Sequence, residues 1–519
     1  MGITQCVGRA VQQNRHGIAT RFGRRTRRWG EFAERVARLA GGLRALGVEP
    51  GDRVAILALN SDRYLEFYAA VPWAGAVAVP LNAYWSPAET ITALNGSAAT
   101  VLMIDDAFAS IAEAVRADAR SVRAVIHMGD AAAPVGMTSY EHLIERAAPI
   151  PDAGRTGDDL AGIFYTGGTT GFPKGVMLSH RSLWASAAAA ASVVAWRRDD
   201  VALHAGPMFH LAAFSAVMGT LLIGAQHVIV AAVDPECVLE AIALNRVTTV
   251  VLVPSMIRLL LTHPKLAMTD LSSLRYLIYG DSPMPDALLR DAMRALPACQ
   301  FVQVYGQTEL SPIGTILTPE YHTFEGPRAG KLASAGRAAA CCEVQVVSPA
   351  DVEVPVGTVG EIRVRGFNTM LGYWNKPDET AATLRDGWVY TGDAGRMDED
   401  GFLYVVDRIQ DMIISGGDNV YTAEVENACA SHRAVSQCAV IGIPDEQRGE
   451  AVHAIVILKD GQHVSAEDLV AHCHRLIAGY KCPRSVEFLA DPLPLSGLGK
   501  VLKRELRKPY WEGRSSQVS

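Results

Sequence analysis

The chain has 519 residues, 49 % of them apolar and 20 % charged, and a formal net charge of -7. At about 100–200 residues per domain this length calls for two or more domains with sizeable cores, and the composition excludes a disordered chain. The acidic balance lacks the basic surface that a nucleic-acid partner needs, and nine scattered cysteines without a C-x-x-C pair exclude a secreted disulfide framework.

From the N-terminus, no signal-peptide pattern is read, which together with reduced thiols gives a cytoplasmic expectation. Arg24, Arg25, Arg27 and Arg28 form a short basic cluster, read as a solvated surface turn. Trp29 to Leu46 sets Phe32, Val36, Leu39, Leu43 and Leu46 at helical spacing. Arg53–Ala58, Ala76–Pro80 and Thr100–Ile104 are short apolar runs between turn residues, as buried strands require. Further strands are expected at Ile163–Tyr165, Val228–Val230, Thr248–Val253, Tyr276–Tyr279 and Phe301–Val304, mostly separated by helices, one of them Ala-rich around Ala185–Ala191. This alternation predicts α/β layers with largely parallel sheets.

Ala205 to Val233 contains no Asp, Glu, Lys or Arg and is long enough to span a membrane. Gly206, Pro207, Gly219, Gly224 and the Gln226-His227 pair interrupt it, so a buried helix followed by a buried strand is expected and no transmembrane segment. After about Gly336, Val344–Val347 and Gly360–Val364 indicate an antiparallel, barrel-like β region. Beyond Asp407 a compact α+β domain is expected, with helices near Ala423–Ala430 and Ala466–Ile477 and strands at Gln437–Gly442, Ala451–Leu458 and Ser485–Leu489. His472-Cys473-His474 is not a zinc site, because consecutive helical side chains point about 100° apart.

The run Tyr165-Thr-Gly-Gly-Thr-Thr-Gly-Phe-Pro-Lys174-Gly175 follows a predicted strand. Gly167, Gly168 and Gly171 let backbone N–H groups approach an anion closely; Thr166, Thr169 and Thr170 add hydroxyl donors; Lys174 adds charge. Such a loop suits a polyphosphate. It is not a Walker loop, in which lysine follows glycine and precedes Ser or Thr, for here Lys174 follows Pro173 and precedes Gly175.

This run resembles the phosphate-loop signature of the adenylate-forming superfamily, which includes acyl-CoA and aryl-CoA synthetases, firefly luciferase and peptide-synthetase adenylation domains. Gly168 departs from it, since many members have Ser there. Four more elements follow in family order. Tyr305-Gly306-Gln307-Thr308-Glu309 resembles YGxTE. The resemblance implies that Tyr305 stacks on adenine, Thr308 approaches the α-phosphate, Glu309 holds Mg²⁺ with Thr166, and Gln303 reads the adenine amino group; Gly280 and Gly306 join the nucleotide set. Tyr390-Thr-Gly-Asp393 resembles YxTGD, which implies that Asp393 accepts from both ribose hydroxyls. Asp407-Arg408 opens the next element, with Arg408 expected at the ribose or phosphate and Gln410 at the hinge where many members have Asp or Lys. Gly416 and Gly417 are then expected beside the pantetheine tunnel, where a missing side chain leaves room, and Thr422 replaces a frequent Pro. Leu493 to Lys500 resembles the motif of the adenylation lysine, which implies that Lys500 bridges the acid's carboxylate and the α-phosphate.

The resemblance therefore implies a large N-terminal adenylation domain, 1–409, of layered α/β subdomains plus the barrel-like region, and a small mobile α+β domain, 410–519. It implies an ATP-dependent acyl-CoA synthetase that uses ATP, Mg²⁺ and coenzyme A to convert a fatty or aryl carboxylic acid to acyl-AMP and then to a thioester. Domain rotation would serve the two half-reactions in turn. The acid is expected against Met208 to Phe214, with Phe209, His210 and Phe214 as wall and His210 as wall or gate, and against Gly280, Asp281 and Ser282. No acidic residue lies between Leu203 and Val230 to pair an ammonium group, which disfavours an amino-acid substrate. Loading of a carrier protein, a luciferase-like oxygenase and a nucleotide-binding protein without chemistry are the competing readings, and homodimerisation stays open. A serine hydrolase is excluded by the lack of G-x-S-x-G.

Overall fold

The structure, a computed structural model, describes residues 2–166, 173–416, 418–495 and 501–512. The chain folds as two compact units: Met1–Val344 with Val364–Val389, and Gln345–Arg363 with Tyr390–Ser519.

The first unit holds two large sheets among the described residues. One has eight strands in the order Gly372–Tyr373, Lys174–Ser179, Leu160–Thr166, Val77–Pro80, Arg53–Leu57, Ala99–Ile104, Ala124–His127, Thr138–Ser139. From Leu160–Thr166 onward these pair in parallel, while Leu160–Thr166 and Lys174–Ser179 form an antiparallel pair at the edge. Val54 to Leu57 and Val77 to Pro80 are buried without alternation, as strands covered on both faces must be. The other sheet has nine strands and a parallel centre: Gln300–Tyr305, Tyr276–Gly280, Thr249–Leu252, Val201–His204, Gln226–Ile229 and Ile18–Phe22 lie side by side. Thr166, Gly280 and Tyr305 stand at the carboxyl ends of their strands, the edge at which α/β sheets bind ligands.

Helix Trp29–Ala45 packs its predicted stripe inward, with Phe32, Val36, Leu39 and Leu43 fully buried. The charge-free segment gives helix Leu211–Ile223, closed by Gly224 at φ 73°, and strand Gln226–Ile229. At 13 residues the helix is only about 20 Å long. Among the described residues no helix is long and apolar enough to cross a membrane.

The basic cluster corrects one expectation in part. Arg24 lies in an exposed turn as expected, but Arg25–Arg28 is a strand. Its alternation leaves Arg28 exposed and turns Arg25 and Arg27 toward helix Asp62–Trp73. There Arg25 pairs with Asp62 at 2.9 Å and Arg27 with Glu66 at 3.2 Å. Arg35 also reaches Glu66 at 2.6 Å, and the Tyr140 hydroxyl donates to it at 2.7 Å. Two carboxylates with 1 % and 0 % side-chain exposure are thereby compensated, which is what makes their burial tolerable.

In the second unit, Asp393 to Met397 pair antiparallel with Leu403–Arg408, and Asp393 faces Arg408 across the pair. A further five-stranded sheet is built on the long antiparallel pair Val435–Asp445 and Gly449–Leu458, with helices Thr422–Ala430 and Ala466–His474. His472 donates to or accepts from Ser431 at 2.8 Å, and among the described residues no three or more His, Cys, Asp or Glu side chains are grouped as a metal would need.

Adjacent strands Val201–His204 and Gln226–Ile229 bury a histidine pair, His204 Nε2 lying 2.9 Å from His227 Nδ1. Burial pushes His204 down to about 3 and, with repulsion from His204 as a lesser cause, holds His227 well below the ordinary range. Burial likewise pushes His180 and His322 to about 4. These rings stay neutral in the folded chain, whereas in the unfolded chain they take protons below 6.5. Each extra proton on the unfolded chain costs about 1.4 kcal/mol of stability per pH unit. Stability should therefore fall as pH drops from about 7 to about 5, with net proton uptake on unfolding; denaturant titrations at both pH values check this, and equal midpoints would contradict it.

Candidate active site

Thr166 and Lys174 are register partners at the end of the antiparallel pair, so the two ends of the phosphate loop are held together by sheet hydrogen bonding. Gly167, Gly168, Thr169, Thr170 and Gly171, expected to line that loop, lie outside the described residues. So do Gly417 and Lys500.

Gly280 and Gly306 are sterically required. A Cβ at Gly280 would meet the Val304 carbonyl oxygen at 2.3 Å, and one at Gly306 the Pro312 carbonyl oxygen at 2.0 Å. Their backbones can pass only as glycine. Between them, Gln303 is half-buried, and its Oε1 accepts from the Tyr279 hydroxyl at 3.4 Å. That hydroxyl also lies 3.0 Å from His322 Nε2. Tyr305 and Thr308 are half-buried, Thr308 opening the short 3-10 turn Thr308–Leu310.

Glu309 is the buried acid of this turn, 7 % exposed. Its Oε1 accepts from the Tyr373 hydroxyl at 2.7 Å, and its backbone carbonyl accepts from the Met370 N–H at 2.9 Å. Tyr373 belongs to the short strand beside Lys174–Ser179, in register with Val176, and the Lys174 ammonium lies 4.7 Å from the Tyr373 ring centroid. Glu309 and Thr166 are hard oxygen donors, as a divalent cation bridging phosphates prefers, so this donor set fits Mg²⁺.

The expected acyl wall divides. His210 caps helix Leu211–Ile223: its Nδ1 accepts from the Ala212 N–H at 3.3 Å, which puts the proton of the neutral ring on Nε2. Nε2 lies 3.9 Å from a carboxylate oxygen of Asp281, which follows Gly280 at φ 69°. The lack of acids between Leu203 and Val230 is therefore no measure of the surroundings of His210, because the fold brings an acid from another strand end. Phe209 is half-buried with its ring edge-on to Tyr84 at 5.8 Å. Phe214 is 2 % exposed and packs at 4.3 Å on Tyr68 and 5.1 Å on Phe164, so its ring is spent on the core. Ser282 follows Asp281 as a half-buried bend residue.

Three supporting residues were not legible in the sequence. Asn60, 4 % exposed, accepts from the Met208 N–H at 2.7 Å and donates to the Gly206 carbonyl at 2.9 Å. The Tyr68 hydroxyl donates to the Met208 carbonyl at 2.6 Å. Tyr373 grips Glu309. Each sits far along the chain from its partner in no periodic pattern, and only chemistry-bearing side chains without another task could have hinted at them.

In the second unit, Asp393 is half-buried, with Arg408 Nε 3.7 Å from its carboxylate, and its N–H donates to the Thr391 hydroxyl at 3.1 Å. Gly416 is exposed at φ 66°, and a Cβ there would meet nothing closer than Arg448 at 3.7 Å. Gln410 is exposed, its carbonyl accepting from Arg507 at 3.4 Å. Thr422 acquires a reason for not being Pro. Its N–H and hydroxyl both donate to the buried Asp407 carboxylate, the hydroxyl at 2.7 Å, and proline could donate neither. The Thr422 hydroxyl in turn accepts from Lys503 at 2.6 Å, and Lys503 pairs with Glu426 at 2.8 Å. Burial disfavours the Lys503 charge, but Glu426 and Asp407 more than offset this and raise its pKa. Either side of the stretch carrying Lys500, Leu495 bridges Val501, and the Leu502 N–H donates to the Pro494 carbonyl at 2.8 Å. Thr422→Val, which removes one donor to a buried acid, should cost about 1–3 kcal/mol in the second unit; an unchanged unfolding midpoint would show that Asp407 is satisfied otherwise.

Comparison with known proteins extends these observations. The family model described as AMP-binding enzyme matches residues 7–374, and that described as AMP-binding enzyme C-terminal domain matches residues 424–500. A feruloyl-CoA synthase of Amycolatopsis sp is 41 % identical over 98 % of this chain and 99 % of its own. A long-chain-fatty-acid–CoA ligase of Mycobacterium tuberculosis is 36 % identical over 91 % of each chain. Among solved structures, ATP-bound MatB from Rhodopseudomonas palustris superposes with a TM-score of 0.88 at 29 % identity, over 99 % of each chain.

Proposed function

Because the chain belongs to the AMP-binding enzyme family and is an AMP-forming acid–thiol ligase of the adenylate-forming superfamily, we propose how its residues divide the work. A carboxylate oxygen of the acid attacks the α-phosphorus of ATP, the bond to the β-phosphate oxygen breaks, and pyrophosphate leaves an acyl-adenylate. The thiol of coenzyme A then attacks the acyl carbon, loses its proton, and expels AMP.

Lys500 bridges the acid's carboxylate and the α-phosphate and stabilises charge as it moves between them. Thr166, Gly167, Gly168, Thr169, Thr170, Gly171 and Lys174 cradle the polyphosphate. Thr308 approaches the α-phosphate, Tyr305 stacks on adenine, Gln303 reads the adenine amino group, and Gly280 and Gly306 join the nucleotide set. Asp393 accepts from the ribose hydroxyls, and Arg408 serves ribose or phosphate. Gly416 and Gly417 leave room for the pantetheine arm, and Gln410 is the hinge. Glu309 and Thr166 hold Mg²⁺, which when bound neutralises phosphate charge. The observation that carries this reading is the buried Glu309 carboxylate, joined through Tyr373 to the strand that begins at Lys174.

For the acid, we place an aryl acid of the ferulate kind first and a fatty acid second. The extent of the likeness to the feruloyl-CoA synthase supports this order, as does the half-buried Phe209 ring with Tyr84 edge-on to it. Nine free cysteines, four of them buried, support the reducing cytoplasm.

A panel of aryl and fatty acids, scored for AMP formation with and without coenzyme A, tests this. Ferulate-type acids should give coenzyme A-dependent AMP release at the highest kcat/KM. A preference for long alkyl acids would reverse the order, and AMP release that needs a carrier protein would replace the acceptor. Lys500→Ala should cut pyrophosphate release by roughly a hundredfold while preformed acyl-AMP is still thioesterified. Equal loss in both half-reactions would refute the role given to Lys500.

A further inference from the structure

The reading of Glu309 as a metal-holding carboxylate leaves open how one flexible acid is aimed. Its two oxygens have different surroundings. Oε1 accepts from the Tyr373 hydroxyl at 2.7 Å; among the described residues Oε2 has no hydrogen-bond partner. The Tyr373 side chain is itself firmly placed. It is 5 % exposed, its strand pairs with Val176 and Met177, and its N–H donates to the Thr380 hydroxyl at 2.9 Å. The following residue, Trp374, donates its N–H to the Gly175 carbonyl at 2.8 Å and its indole N–H to the Gly96 carbonyl at 3.0 Å. The Lys174 ammonium over the ring adds a cation–π contact at 4.7 Å.

We infer that Tyr373 is a positioning residue for the metal–nucleotide site: it fixes one oxygen of Glu309 and so presents the other as the ligand arm, in register with the strand that carries Lys174. This rests on the reading of Glu309 and Thr166 as metal donors. A ligating carboxylate whose other oxygen is held by a neighbour loses less freedom on binding and keeps its orientation, and loss of such outer partners commonly costs 10–100-fold in metal affinity. Burial first, and the Glu309 charge second, push the Tyr373 hydroxyl far above its ordinary value, so it stays a donor at any working pH. A tyrosine with only a packing role would need none of this alignment, since a phenylalanine would fill the same space.

The test is Tyr373→Phe in the full-length enzyme, read by electron paramagnetic resonance of Mn²⁺ titrated in the presence of ATP, alongside ATP binding without metal and a thermal melt. The expected result is at least tenfold weaker Mn²⁺ binding, an equal rise in the Mg²⁺ concentration for half-maximal adenylation, and unchanged metal-free ATP binding. In a Glu309→Gln background, Tyr373→Phe should add less than twofold, because the partner it acts through is gone. Wild-type Mn²⁺ affinity in Tyr373→Phe, or an equally large effect with Glu309→Gln already present, would overturn the inference. If the melt shows an unfolded Tyr373→Phe, the comparison passes to Thr380→Val, which removes the acceptor for the Tyr373 N–H and should weaken Mn²⁺ in the same direction; no change there would also overturn it. If Glu309→Gln alone leaves Mn²⁺ affinity intact, the metal role of Glu309 fails, an outcome distinct from a failure at Tyr373.

Discussion

A carboxylate kept from water has to be compensated, and in the first unit Glu309 is the acid whose compensation organises its surroundings. It is buried in the middle of a one-turn 3-10 helix, and among the described residues its side-chain partner is a neutral hydroxyl from Tyr373, not a cation. That partner comes from a two-residue strand on the edge of the other large sheet, next to the strand that carries Lys174. The side-chain hydrogen bond from Tyr373 therefore ties the turn after Gln300–Tyr305 to the strand lying beside the one that begins at Lys174. Contrast the acids Asp62 and Glu66, which are neutralised outright by Arg25, Arg27 and Arg35. Those sites are closed ion pairs, whereas among the described residues only one oxygen of Glu309 is engaged, by a neutral hydroxyl.

The second unit solves a similar problem with a chain of contacts. Asp407 accepts from Thr422, the Thr422 hydroxyl accepts from Lys503, and Lys503 pairs with Glu426. The two flanks of the Lys500 stretch are fixed nearby, through the Leu495–Val501 bridge and the Leu502 to Pro494 hydrogen bond. In the role proposed for Lys500, flanks that are already ordered would reduce the freedom lost at the moment of reaction.

Much of this architecture was legible in the residue order. Apolar runs such as Val54 to Leu57 mark buried parallel strands, and the stripe from Phe32 to Leu43 marks a helix face, because periodicity is a local property. The motif residues Thr166, Lys174, Tyr305, Glu309 and Asp393 were legible for another reason, since their chemistry is carried by short contiguous runs. What was not legible depends on pairing across the chain. Arg25 and Arg27 look like a solvated cluster until strand alternation aims them at Asp62 and Glu66. Asp281 cannot be seen from the segment around His210, and Phe214 is taken by Tyr68 and Phe164. Tyr373 gives no local sign of its bond to Glu309, whereas Thr422 shows as a departure whose meaning only Asp407 and Lys503 supply.

The central claim is that the acid's own carboxylate attacks the α-phosphorus and that the thiol later attacks carbon. Its most direct test is the fate of oxygen. With an acid labelled by ¹⁸O in its carboxyl group, one labelled oxygen should appear in the phosphate of AMP and none in pyrophosphate, as read by mass spectrometry. AMP without label, or label in pyrophosphate, would contradict the account.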